Sequence, residues 1–100
     1  MPISRLLFHR LAAREYRSAR DWYQERSADV AERFCIAVDQ AVSRIAKGIE
    51  ALPVLTGQYR YVRVNRFPYI LVFRLVDRDE VIVVAVAHTS RRPGYWRGRK

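Results

Sequence analysis

The sequence predicts an α+β fold in the order β-α-α-β-β-β, with a helical hairpin packed on a small, mainly antiparallel sheet. Three observations predict it. Two apolar, β-branched runs, residues 69–76 and 81–87, flank the polar link Asp77-Arg78-Asp79-Glu80, which is the pattern of a β-hairpin. Two stretches with apolar residues at helical spacing come earlier, separated only by Ser27-Ala28-Asp29. Pro53 then closes the second of these, because the residue before a proline is pushed out of helical geometry.

The elements follow in chain order. Residues 3–9 are short and apolar, with β-branched and aromatic members, and predict a first strand. A helix is expected from Arg10 to about Arg26. Ala12, Tyr16, Ala19 and Tyr23 make one face, with Leu11 and Trp22 beside them, while Glu15, Arg17, Arg20, Asp21 and Glu25 lie mostly elsewhere. Asp29 followed by Glu32 reads as a capping arrangement for the second helix. That helix is expected to reach about Ala51, burying Val30, Phe34, Ala37, Val38, Ala41, Ile45, Ile49 and Leu52. Cys35 falls on its apolar side as a small core residue. So short a link between the helices requires them to run antiparallel.

Residues 53–58, with Pro53 and Gly57, read as a loop, and residues 59–64 as a strand. Asn65-Arg66-Phe67-Pro68 then turns the chain into the hairpin, with Pro68 at the start of a strand because it has no N–H for the ladder. Arg74 is the one charge inside the apolar third strand, so it must emerge at an open edge or find an acidic partner. The whole chain, 1–100, reads as a single domain, with 97–100 a frayed basic tail.

Composition narrows the function. No stretch approaches the roughly 18 apolar residues of a membrane span, and no secretory signal stands at the start, so the expected compartment is the cytoplasm. One cysteine and two histidines cannot supply a closed metal site, and no glycine-rich phosphate loop is present. Neither metal nor cofactor is therefore expected. The formal charge of +9 is uneven. Residues 1–50 hold nine basic and seven acidic side chains, and residues 51–100 hold ten and three. All but two of the basic residues are arginines, whose forked donors suit phosphates and carboxylates. The C-terminal half thus points to an anionic partner, either nucleic acid or an acidic protein segment.

The chemistry-bearing set is basic and aromatic: Arg60, Arg63, Arg74, His88, Arg91, Arg92, Tyr95 and Trp96. His88 ends a strand, where it can serve as a general acid or base or simply bond backbone. Arg91 and Arg92 can hold phosphates or stand as a surface pair. Tyr95 and Trp96 can stack on bases or cap the core. The expected target-binding surface is Arg60, Arg63, Arg91, Arg92, Tyr95 and Trp96.

Taken together, several pieces resemble one family. Glu15, Trp22 and Tyr23 lie in the helical hairpin. Phe67-Pro68-Tyr69, Val84-Ala85-Val86-Ala87-His88 and Arg91-Arg92-Pro93 follow in order, and then Tyr95-Trp96. This set resembles the RelE/ParE superfamily of toxins from bacterial type II toxin–antitoxin systems, also called plasmid stabilisation proteins. The resemblance implies a small cytosolic toxin that a cognate antitoxin neutralises in a hetero-oligomeric complex. RelE-like members are ribosome-dependent mRNA interferases that cleave without a metal. For them the resemblance implies Arg63, His88 and Tyr95 as catalytic candidates. ParE-like members bind and poison DNA gyrase. The nuclease branch carries a basic residue early in the third strand, where this chain has Tyr69-Ile70-Leu71-Val72, and lysines in the second strand, where it has none. The first expectation is therefore a toxin that acts by binding a target such as DNA gyrase. An mRNA interferase, and a non-toxic nucleic-acid-binding module, are the alternatives.

Overall fold

The computed structural model describes residues 2–100. Strand β1 (Arg5–Phe8) leads into helix α1 (Arg10–Gln24) and helix α2 (Ala28–Ala46). Four strands follow: β2 (Val54–Thr56), β3 (Tyr59–Arg63), β4 (Tyr69–Asp77) and β5 (Glu80–His88). They form one sheet in the order β1-β5-β4-β3-β2, in which only the β1–β5 pair is parallel. The mainly antiparallel α+β architecture matches the sequence expectation, with one strand more than predicted.

That extra strand lies in the predicted loop. Gly57 adopts a left-handed φ of 54°, so Gly57 and Gln58 turn the chain and pair Thr56 with Tyr59. Three residues are too few to show alternation. At the other hairpin, Asp77 pairs with Glu80, which shortens the expected four-residue link to Arg78-Asp79.

Both helix starts are capped by side chains. His9 Nδ1 accepts from Leu11 N–H at 3.1 Å, as a neutral ring can. Burial, and then the charges of Arg99 and Arg10, push the His9 pKa down and favour that neutral form. The α2 cap is Ser27, not Asp29: its Oγ accepts from Val30 N–H at 3.3 Å. The helix also ends at Ala46, five residues before the predicted end, because Gly48 turns away with φ 135°. Ile49 and Leu52 are buried all the same, from the turn that follows.

The sheet is packed on both faces. Against the helices lie Phe34, Val38, Ala41 and Ile45 of α2 and Ala12 and Ala19 of α1, facing Val62, Leu71, Phe73, Val83 and Val86. Phe34 is fully buried, with Tyr16, Tyr23, Phe67 and Tyr69 around its ring at centroid distances of 5.2–5.8 Å. Trp22, expected beside this stripe, is instead 52% exposed, with the Arg26 guanidinium 3.6 Å over its ring. Cys35 is half-buried. The far face carries Val72, Val84, Ala85 and Ala87, and the C-terminal turn lays Trp96 over them. Arg74 is half-buried and emerges beside Arg60, Val54 and Leu75, with no ion pair among the described residues. No helix of the described residues is long and apolar enough to cross a membrane.

Candidate functional site

The site grows from the place where β5 outruns β1. Pairing with β1 covers β5 only from Glu80 to Val83, and the His9 N–H then donates to the Val83 carbonyl as the chain leaves for α1. The β4–β5 register shifts around Val72 and Phe73, a bulge that redirects the strand where it loses its neighbour. The buried stretch beyond still presents polar backbone, and such groups need partners. Two side chains supply them. Glu15 Oε1 accepts from Val86 N–H at 3.0 Å, and Arg99 Nη1 donates to the Val84 carbonyl at 2.9 Å.

Those two side chains also hold each other. Arg99 Nη1 and Nη2 donate to Glu15 Oε1 and Oε2 at 3.0 and 3.1 Å, a two-point contact. Both side chains are largely sheltered, 15% exposed for Glu15 and 13% for Arg99. The Tyr95 hydroxyl donates to Glu15 Oε2 at 2.8 Å, and Arg91 approaches the same oxygen at 3.5 Å. The Arg91 guanidinium lies 3.7 Å over the Tyr95 ring. Burial first, and then the Glu15 carboxylate, raise the Tyr95 pKa far above that of an ordinary phenol. One carboxylate thereby organises a tyrosine, two arginines and a strand edge.

Beside this cluster a groove of about 600 Å³ opens between α1 and the ends of β4 and β5. Arg14, Trp22, Tyr23, Tyr69, His88 and Arg91 contribute to its walls. His88 closes one end: its ring packs edge-on against Tyr69 at 5.1 Å. Its Nδ1 accepts from Ser90 N–H at 3.0 Å and lies 2.7 Å from Ser90 Oγ. A smaller hollow of about 240 Å³ lies where the far face meets the C-terminal turn, lined by His88, Arg92, Tyr95, Trp96 and Arg97 among others. Arg91 borders both cavities, with its side chain 54% exposed.

The expected surface is assembled only in part. Arg91, Arg92 and Tyr95 come together around the turn that follows β5. Trp96 does not join them as a contact: it is 3% exposed, because its ring fills the far-face core edge-on to Tyr59 at 4.5 Å. Arg60 is elsewhere. Its Nη1 donates to the carbonyls of Leu52 and Ile49 at 2.6 and 3.2 Å, so it fastens the turn after α2. Arg63 is exposed at the end of β3, in register with Ile70. Among the described residues no hydrogen bond joins Arg63, His88 and Tyr95 to one another. Arg99, in the stretch read as a frayed tail, is held by its guanidinium instead.

Glu15 is the residue that sequence reasoning missed as a site. The signal was there: Glu15 stands three residues after Ala12 and four before Ala19, a lone charge inside the buried stripe of α1. Arg99 carried no such signal, because nothing local distinguishes it from a solvated terminal arginine. Among the described residues no group of three or more His, Cys, Asp or Glu side chains is placed to hold a metal ion.

The family model described as ParE toxin of type II toxin–antitoxin system, parDE, matches residues 6–93. The matched stretch includes Glu15 and Arg91 and stops before Tyr95 and Arg99. No curated protein matches the chain.

Proposed function

The chain belongs to the ParE toxin family of type II toxin–antitoxin systems, and on that footing we propose that it disables its target by binding and not by cleavage. The target is DNA gyrase, and the contact surface is the turn around Arg91 and Arg92. A cognate antitoxin, implied by the family, neutralises it. We propose the cytoplasm as the place of action, since gyrase and the antitoxin are met there.

The observation that carries this reading is the state of the Arg91–Tyr95 cluster. The arginine is stacked on the tyrosine and leans on Glu15, yet more than half of its side chain remains exposed. A forked cation held in one orientation is prepared for a carboxylate or phosphate at little entropic cost. Cleavage would need a group that accepts and returns a proton at the same spot. Tyr95 is committed to Glu15 and held in its neutral form, and His88, bonded to Ser90, makes no hydrogen bond to Tyr95 or Arg63 among the described residues, so the three candidates for cleavage are not gathered at one spot. Arg63 belongs to neither contact. The geometry therefore favours recognition over proton transfer.

Expression of the toxin alone, scored for growth and assayed in vitro for gyrase supercoiling and for translation, tests the reading. Arg91→Ala with Arg92→Ala should abolish toxicity and gyrase inhibition while the melting temperature stays within a few degrees. Neither side chain is buried, and exposed pairs contribute about 0–1 kcal/mol. His88→Gln should leave toxicity unchanged, whereas an mRNA interferase relying on it would lose about 10²–10⁴ in rate. A folded, fully toxic double arginine variant, or mRNA cleavage that His88→Gln removes, would refute the proposal.

A further inference from the structure

Between β5 and the clasp formed by Glu15 and Arg99 the chain makes two turns. In one the Arg91 N–H donates to the His88 carbonyl, and in the other the Arg97 N–H donates to the Gly94 carbonyl, both at 3.0 Å. These turns wall the hollow of about 240 Å³ on the far face. Its apolar lining includes Ile70, Ala87 and Leu55, the last 40% exposed. Its charged lining is cationic only: Arg91, Arg92 and Arg97 border it, all three exposed, and no acidic side chain does. We propose that this hollow is an anchor site for one large apolar side chain of an acidic protein segment, whose carboxylates pair with the three arginines. The proposal rests on the target-binding reading above and names the kind of segment of gyrase that the site takes.

Three features carry it. The first is size. At 240 Å³ the hollow is smaller than the roughly 300–1,000 Å³ of sites that enclose a small molecule, and it suits a single large side chain. The second is the state of its rings. A nucleic-acid base would need an open aromatic face to stack on. The Trp96 ring is buried against Tyr59, and the Tyr95 ring carries the guanidiniums of Arg91 and Arg99 at 3.7 and 5.1 Å. The lining left open is aliphatic, so it fits an apolar side chain better than a base. The third is charge. Among the described residues Arg92 and Arg97 form no ion pair, and Arg91 forms one, with Glu15 at 3.5 Å. Carboxylates on either side of a seated anchor would come within reach of these forked donors.

The hollow is also held ready. Gly94 takes a left-handed φ of 83°, and the Arg97 guanidinium lies so close to it that a Cβ there would stand 3.3 Å from Nε. Arg97 is thereby laid along the turn that walls the hollow. An anchor that enters a preformed hollow has little to order, so one side chain can carry much of the binding energy.

The test uses the full chain, labelled for methyl NMR, with purified DNA gyrase and two synthetic peptides: Glu-Asp-Phe-Asp-Glu, and the same peptide with glycine in place of phenylalanine. The phenylalanine peptide should shift the methyl signals of Leu55 and Ile70, and the glycine peptide should bind about tenfold more weakly. Leu55→Lys adds a cation and removes the apolar contact, so it should weaken both the phenylalanine peptide and gyrase about tenfold, whereas Leu55→Met should weaken neither. Leu55 is exposed on an edge strand, so both variants should fold. Arg97→Ala, also at an exposed position, supplies a second comparison should Leu55→Lys prove unstable, and should weaken the phenylalanine peptide as well. The proposal is overturned if the two peptides bind alike, or if the phenylalanine peptide leaves Leu55 and Ile70 unshifted. It is also overturned if Leu55→Lys binds gyrase as well as the natural chain or better, the result expected of a contact with DNA phosphates. The two readings fail separately. If the peptides behave as described while the natural chain does not bind gyrase, the target reading falls and the anchor site stands.

Discussion

The two faces of the sheet are closed by different means. The helix side is closed by a continuous stripe from α2, Phe34, Val38, Ala41 and Ile45, backed by Ala12 and Ala19 of α1. The far face and the adjoining β5 edge are closed by the final turn, which brings one large ring, Trp96, and Arg99, whose guanidinium pairs with Glu15 of α1. The first arrangement shares its energy among many neighbours that lie close in sequence. The second concentrates it in a few residues, and its central contact spans |i−j| = 84. A distributed core tolerates change at its margins, whereas a clasp fails when one member is lost.

The largest effects come from one ring on each side. Phe34→Ala should cost about 3–5 kcal/mol, because its ring is fully buried among four other aromatics and they cannot collapse into the space. Trp96→Ala should cost about 3 kcal/mol, at the low end of the same range, since the turn that carries it can shift inward. Denaturant titration gives both values. A loss for Phe34→Ala below about 1 kcal/mol would mean that the distributed core does not depend on it. A larger loss for Trp96→Ala than for Phe34→Ala would reverse the ranking of the two faces.

Glu15→Ala should come next, at about 2–3 kcal/mol, because it leaves the Val86 N–H and the sheltered Arg99 guanidinium without their acceptor. Glu15→Gln should cost less, since an amide oxygen can still accept from Val86. Amide exchange at Val86 should accelerate in Glu15→Ala and not at Val83, whose edge is covered by β1. Equal acceleration at both positions would show that the clasp and the β1 pairing are one cooperative unit.

The contrast also explains what the sequence disclosed. The helical stripe was legible because period 3.6 places Phe34, Val38, Ala41 and Ile45 on one face whatever they pack against. The β4–β5 hairpin was legible because its two runs are apolar and its link is polar. The boundary errors have local causes: Gly48 ends α2 before Pro53 can, and Ser27 outcompetes Asp29 for the cap. The site was legible as a composition, arginines and aromatics after a strand, but not as an arrangement. Trp96 and Arg60 differ from Arg91 and Arg92 only in what the fold places against them. A buried ring and a guanidinium on the Leu52 carbonyl are long-range or loop-dependent facts. The joining of Glu15 to Arg99 depends on the whole topology, since only the parallel placement of β1 beside β5 brings α1 to the C-terminal turn.

The smallest effect isolates one hydroxyl. Tyr95→Phe keeps the ring under Arg91 and removes only the hydrogen bond to Glu15, so it should cost about 1 kcal/mol at neutral pH. Its sharper signature is in alkali. Burial and the Glu15 carboxylate raise the Tyr95 pKa in the folded state above the value of about 10 for a free phenol. The folded state therefore binds this proton more tightly than the unfolded chain does. The stabilisation is fully present below about pH 10 and is lost as the pH rises from there through the folded value. Tyr16, raised to about 12 chiefly by burial, acts in the same direction on the helix side. The natural chain should thus hold its stability up to about pH 10 and lose it above. Tyr95→Phe should start lower and fall less steeply, with the two curves converging as the pH climbs; Tyr16→Phe supplies the corresponding curve for the helix side. Parallel curves for the natural chain and Tyr95→Phe up to about pH 11 would mean that the Tyr95 proton is no better held in the fold than in the unfolded chain, and that the clasp rests on Glu15 and Arg99 alone.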